Sequence, residues 1–105
     1  MIVNVSSGMG SLFVTTDPSR LESTLISLAY PASKSAVNML TTQYAKAFPQ
    51  MRINAVDPGY TATDLNDHGG TKPVEQGAEI IVRMANLNGS GQTGAFVDEH
   101  GAVPW

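Results

Sequence analysis

The sequence predicts an α/β chain: a partial, doubly wound parallel sheet of three strands in the order β-α-β-α-β. Three observations predict it. Short runs rich in β-branched residues stand at positions 2–5, 52–56 and 95–97. Two stretches of helical periodicity, at about 31–47 and 73–87, separate them. The first two runs end abruptly in Ser/Gly or Pro/Gly breaks, as strands do where a sheet hands over to loops.

The elements follow in order. Residues 2–5, Ile-Val-Asn-Val, read as a strand buried on both faces. Residues 6–11 are Ser/Gly-rich and read as loop. Asp17-Pro18 reads as an N-cap followed by proline at the first helical position, and Leu21, Leu25 and Leu28 then mark a short amphipathic helix. The longer helix begins near Pro31. Its positions Ala36, Val37, Leu40, Tyr44 and Phe48 form a face for a sheet, and Pro49 ends it. Residues 52–56 are the second strand, broken by Pro58-Gly59. Residues 60–72 are polar and read as a mobile loop. Pro73 opens the last helix, with Val74, Ala78, Ile81 and Ala85 on one stripe. Residues 88–93 connect it to the third strand.

The 105 residues allow one domain. With 42% hydrophobic and 14% charged residues, the composition is that of a globular chain. Net charge is −3 and no basic run occurs, which argues against nucleic acid or anionic membrane surfaces as partners. Cysteine is absent, so no disulfide or thiolate metal site is expected. No apolar run reaches the ~18 residues of a membrane span, and no signal peptide is evident. A cytoplasmic location is the default expectation.

Tyr30-Pro-Ala-Ser-Lys34 is the most informative stretch. A tyrosine and a lysine four residues apart share one helix face. An ammonium beside a phenol favours the phenolate and brings proton exchange within reach of physiological pH. Ser7 sits just past a strand end, where reactive groups gather in open parallel sheets. Its hydroxyl could bond a substrate oxygen, but by itself the residue reads first as a turn serine bonding its own backbone. Pro58-Gly59, with Thr61 and Thr63, also follows a strand end. It is either a plain break or a place where backbone and hydroxyls approach an amide or phosphate.

Other motifs carry less. Gly89-Ser-Gly-Gln-Thr-Gly94 matches G-x-G-x-x-G. It follows a helix and leads into a strand, the wrong context for a dinucleotide fingerprint, and reads as a turn. Ser7 lacks a G-x-S-x-G elbow, so a hydrolase triad is disfavoured. His68 and His100 lack metal-ligand spacing and read as solvated loop residues; no metal is expected.

Taken together, Asn-Val-Ser-Ser7, Tyr30-Pro-Ala-Ser-Lys34, Asn54-Ala-Val-Asp-Pro-Gly59 and Thr63 resemble the short-chain dehydrogenase/reductase family, and the ending Gly94 to Trp105 resembles its carbonyl-reductase-like members. The likeness spans nearly the whole chain but only the carboxyl-terminal half of that family's Rossmann-type domain. It implies that Ser7 binds the substrate oxygen and that Tyr30 is the acid/base. It implies that Lys34 tunes the tyrosine and bonds the nicotinamide ribose, and that Pro58, Gly59, Thr61 and Thr63 line the nicotinamide. Gly8, Met9 and Tyr60 are the substrate-contacting candidates. The implied cofactor is NAD or NADP, and the implied substrate a small-molecule carbonyl or alcohol. Ser7 and Tyr30 stand 23 positions apart, wider than is common in the family, and the inserted residues are expected to form substrate wall. The family's Gly-rich phosphate loop, and an asparagine that completes its proton relay, belong to an amino-terminal half not found here; Asn4 lies on the wrong element to replace the asparagine. The chain alone is therefore expected not to turn over. Its first strand is expected to be an open edge prone to homo-oligomeric association. The alternatives are a non-catalytic module that folds against a partner and an unrelated α/β binding domain.

Overall fold

The computed structural model describes residues 1–86 and 91–105. Strand β1 (Ile2–Val5) pairs in parallel with β2 (Ile53–Val56), and β2 pairs in parallel with β3 (Phe96–Asp98). A two-residue β4 (Gly101–Ala102) returns antiparallel to β3, so the sheet order is β1-β2-β3-β4. The doubly wound α/β class holds, but the sheet has four strands and is mixed. The hairpin was missed because Glu99-His100 lacks a strong turn dipeptide. Asp98 supplies the turn instead: its Oδ1 accepts the N–H of His100 and of Gly101.

β2 is the buried centre, with all four residues enclosed. β1 is less buried than expected: it is the edge strand, with Val3 and Asn4 only half-buried and Ile2 and Val5 exposed. Its alternation still sorts the layers. Val3 packs on one side against the cluster of Val56, Ile80, Met84 and Val97. Asn4 points to the other side and donates to Thr41 Oγ1 at 2.9 Å. Helix α2 (Ala29–Ala47) thus covers one face and α3 (Val74–Ala85) the other.

The helices differ from expectation in detail. Residues 6–11 contain a 3-10 turn, Gly8–Gly10. Ser11 then caps a short helix α1 (Leu12–Thr16) by accepting the N–H of Val14. Asp17 ends α1 rather than opening a helix. Its carboxylate binds the N–H and hydroxyl of Ser19, which holds its carboxyl below the usual range. Of the leucine-marked helix only a 3-10 turn, Leu21–Thr24, forms. Leu21, Leu25 and Leu28 are exposed, so no buried face supports a longer helix. Ser23 and Thr24 also spend their hydroxyls on backbone carbonyls of the same turn.

Helix α2 starts two residues before Pro31 and takes Tyr30 into its first turn. Its sheet-facing stripe is Asn38, Thr41 and Ala45, not the expected apolar positions. Ala36, Leu40, Tyr44 and Phe48 are exposed, and Val37 is half-buried. In α3 the buried stripe is Gly77, Ile80 and Met84, rotated from the expected one. Gly77 sits where it does because a Cβ there would meet Thr61 Oγ1 at 2.4 Å. Leu87 and the start of the Gly89–Gly94 motif lie outside the described residues. Gly91 and Gly94 have positive φ, as a turn requires. Residues 60–72, expected to be mobile, are tied together by main-chain bonds. Ala62 N–H donates to Lys72 O, and Thr71 and Lys72 N–H to Tyr60 O. A 3-10 turn, Asp64–Asn66, lies between. Among the described residues no helix is long and apolar enough to cross a membrane.

Candidate active site

Three segments meet at the carboxyl ends of β1 and β2. The turn after β1 docks on the first half of α2 through small groups. Ser6 Oγ bonds Asn38 Oδ1, and Ser35 Oγ donates to Gly10 O at 2.8 Å. Gly10 is in direct contact with the Lys34 backbone, where a Cβ would stand 2.6 Å from the Lys34 carbonyl carbon. A larger residue would force turn and helix apart.

This docking carries the predicted residues. Ser7 caps the 3-10 turn, and its Oγ accepts the N–H of Met9 at 3.1 Å. That is the turn-serine role, and it leaves the O–H as a donor, as hydroxyl chemistry allows. Tyr30 is half-exposed on the first turn of α2. Lys34, one turn on, holds its ammonium 5.7 Å from the centre of the Tyr30 ring. The same ammonium donates to Val5 O at 3.0 Å. A single cation therefore joins the phenol to the last residue of β1, two positions before Ser7. An ammonium has three N–H donors, so two are left over for other acceptors.

The second loop follows β2. Gly59 has φ 82°, and a Cβ there would stand 2.7 Å from Lys72 Nζ. Thr61 Oγ1 donates to Gly59 O at 3.1 Å, and Thr63 N–H donates to Asn66 Oδ1 at 3.1 Å. Tyr60 is exposed on this loop, Met9 is half-buried, and Gly8 is buried with its N–H bonded to Asp57. Asn4 is engaged with Thr41, away from these groups. His68 bonds Asp64 and His100 approaches Glu99, both on exposed loops. Among the described residues no three such side chains are grouped to hold a metal.

Sequence reasoning missed Asp57, Asn38 and Lys72. Asp57 joins the two loops: Oδ2 accepts the Gly8 N–H at 2.9 Å and Oδ1 the Gly59 N–H at 2.8 Å. Burial pushes its carboxyl above the usual carboxylate range, opposed by those two bonds. The signal for it was an acidic residue between a strand and Pro-Gly. Lys72 braces the second loop by a 2.7 Å ion pair to Glu99, which holds that carboxyl below its usual range.

A groove of about 370 Å³ lies elsewhere. Ile2, Val37, Leu40, Tyr44, Phe48 and Met51 line it along the free edge of β1. Neither the half-buried Ser7 nor the exposed Tyr30 lines it.

The Lys34 ammonium lies between the Tyr30 ring and the end of β1. The family model for short chain dehydrogenase matches residues 1–73, and the chain belongs to that family. It is 42% identical over 64 residues to (−)-isopiperitenone reductase of Mentha piperita, covering 61% of this chain and 20% of that protein. The structure of the carbonyl reductase Sniffer of D. melanogaster superposes with TM-score 0.75 and 30% identity, over 99% of this chain and 40% of that one. The NADPH-bound carbonyl reductase from chicken fatty liver gives TM-score 0.71 and 27% identity, over 99% of this chain and 42% of that one. The chain thus spans about a fifth of the curated relative and about two fifths of the solved structures.

Proposed function

We propose that this chain is the catalytic half of an NAD(P)-dependent oxidoreductase that interconverts a small-molecule carbonyl and an alcohol. The observation that carries the proposal is the Lys34 ammonium, set between the Tyr30 ring and the end of β1. The Lys34 donors not used by Val5 O suit the ribose hydroxyls of a nicotinamide nucleotide. When bound, the nucleotide supplies or accepts the hydride. The chain's own groups do the rest. The Ser7 O–H donates to the substrate oxygen and orients it. Tyr30 Oη delivers a proton to that oxygen in reduction and removes it in oxidation. Lys34 stabilises the phenolate left behind. Pro58, Gly59, Thr61 and Thr63 form the floor for the nicotinamide end, while Met9 and Tyr60 border the substrate.

The chain supplies the Tyr/Lys side of this site, and the pyrophosphate-anchoring helix N-terminus must come from another segment. The isolated chain is therefore expected to be inactive. The test joins it to an amino-terminal dinucleotide-binding segment and follows NADPH consumption with a carbonyl substrate. Turnover that Tyr30→Phe abolishes supports the proposal. Full activity in Tyr30→Phe removes the acid/base assignment. Carbonyl reduction by the unextended chain would overturn the expected inactivity.

A second reading, a non-catalytic module that folds against a partner, draws on the apolar groove beside β1. Its mark would be a stable complex with a second protein and no nucleotide binding by the extended chain.

A further inference from the structure

The mechanism above leaves Asp57 without a part, although this carboxylate touches both loops of the site. Its bond to Gly59, two residues on, is an ordinary local turn. Its bond to Gly8 is not local, since the two residues are 49 positions apart. Gly8 follows Ser7 directly, and Gly59 opens the loop of Thr61 and Thr63. One side chain thus fixes the distance between the hydroxyl that would hold substrate and the loop that would hold nicotinamide.

We propose that Asp57 is a positioning residue: its two carboxylate oxygens clamp the Gly8 and Gly59 N–H groups and so set Ser7 against the Gly59 loop. The proposal rests on the carbonyl-reduction reading above. Its structural core is independent of that reading. Gly8 is buried, and a Cβ there would lie 3.1 Å from Asp57 Oδ2, so the carboxylate packs closely on the bare backbone at that point. An ionised carboxylate accepts at both oxygens, and such charge-assisted bonds are about twice as strong as neutral ones. An asparagine amide has one acceptor and one donor, and can hold only one of the two N–H groups.

The surroundings make the clamp sensitive to acid. Burial is the main influence raising the Asp57 carboxyl, and Asp98 on β3 and Glu22 on the 3-10 turn add repulsion. Lys72, beside Gly59, is paired with Glu99 and does not neutralise it. Protonation turns one oxygen into a donor facing an N–H and opens one side of the clamp. That opening occurs at higher pH than for an ordinary aspartate.

The first measurement is a pH titration of the ¹⁵N-labelled chain, following the Gly8 and Gly59 amide resonances. Both should move with one midpoint, above the ordinary aspartate value of about 3.9. Glu22→Gln should lower that midpoint, and Asp57→Asn should remove it from both. A Gly8 amide that does not titrate with Gly59 overturns the clamp, and this arm needs no variant to fold. The second measurement uses the chain extended with the amino-terminal segment. Asp57→Asn should lower kcat roughly tenfold or more, as misplaced reacting groups do. The nucleotide KM should hold, and the acid limb of the pH profile should shift. An unchanged kcat and pH profile would overturn the positioning role. If the extended wild type reduces no carbonyl, the functional reading fails while the amide titration still decides the clamp.

Discussion

Tyr30 and Asp57 illustrate two kinds of legibility at the scale of single residues. The Tyr30–Lys34 pairing was readable because it depends on local spacing: a lysine four residues on lies on the same helix face, and its ammonium stands 5.7 Å from the ring centre. In the extended protein, Tyr30→Phe should lower turnover by about 10²- to 10⁴-fold, the usual worth of a positioned acid/base. The phenol is half-exposed, so the variant should melt with the wild type, which circular dichroism would check. Asp57 was not readable, because its role depends on Gly8, which only folding brings near. It also makes a distinctive stability prediction. Its folded carboxyl is raised, so over the interval between the unfolded and folded values the folded chain binds more proton than the unfolded one. Stability from this group therefore falls as pH rises through that interval, and levels off above it. Asp17 and Glu99 are lowered, so their contributions run the other way and are lost as pH falls through their folded values. Urea melts of wild type and Asp57→Asn from pH 3.5 to 7 should show the stability of the wild type relative to the variant decreasing as pH rises through that interval. A difference independent of pH would remove the assignment.

At the scale of elements, what could be read was what each segment encodes by itself. Residues 31–47 carry enough helical periodicity, with Pro49 beyond, to announce α2 within two residues at its start. Which face it buries could not be read. The apolar stripe Val37, Leu40, Tyr44 and Phe48 was the natural choice, yet the sheet takes Asn38, Thr41 and Ala45. The reason is close approach. Asn4 and Ser6 present polar side chains toward α2, and only small or polar residues there can meet them. Leu21, Leu25 and Leu28 failed for the complementary reason: periodicity without an opposing wall does not hold a helix. The turn–helix contact at Gly10 gives a direct test. Gly10→Ala would place a Cβ 2.6 Å from the Lys34 carbonyl carbon and 2.8 Å from Lys34 Cβ. Both atoms belong to a rigid helix, so the turn must move. Overpacking of this kind costs about 1–3 kcal/mol, and denaturant melts should register it. Gly91→Ala meets nothing within 4 Å and carries only the strain of φ 71°, so it should cost less. Equal stability of wild type and Gly10→Ala would mean the turn does not seat on α2 as described.

At the scale of the whole molecule, the exposed edge of β1 and the unused stripe of α2 lie side by side. Ile2 N–H donates to Arg52 O and Ser6 N–H to Val56 O, so β1 directs alternate residues to β2. By the parallel pattern, the N–H groups of Val3 and Val5 face outward. Lys34 occupies the carbonyl of Val5. The N–H groups remain available to another strand. Beside them runs the groove of Ile2, Val37, Leu40, Tyr44, Phe48 and Met51, with the Tyr44 and Phe48 rings stacked at 6.0 Å. An open strand edge next to a continuous apolar surface is a template for association. A second copy of the chain can offer both the matching edge and the matching stripe. The chain alone is therefore expected to self-associate, with sedimentation showing a weight-average mass that rises with concentration above 11.1 kDa. A lysine at Leu40, on the exposed stripe, should suppress that rise while leaving the core of Val56, Ile80, Met84 and Val97 and the melting temperature unchanged. Ile2→Lys should act in the same direction from the strand side. If the wild-type chain stays an 11.1 kDa monomer at all concentrations and melts cooperatively, the edge is quiet and needs no partner. If association persists in both lysine variants, another surface carries it.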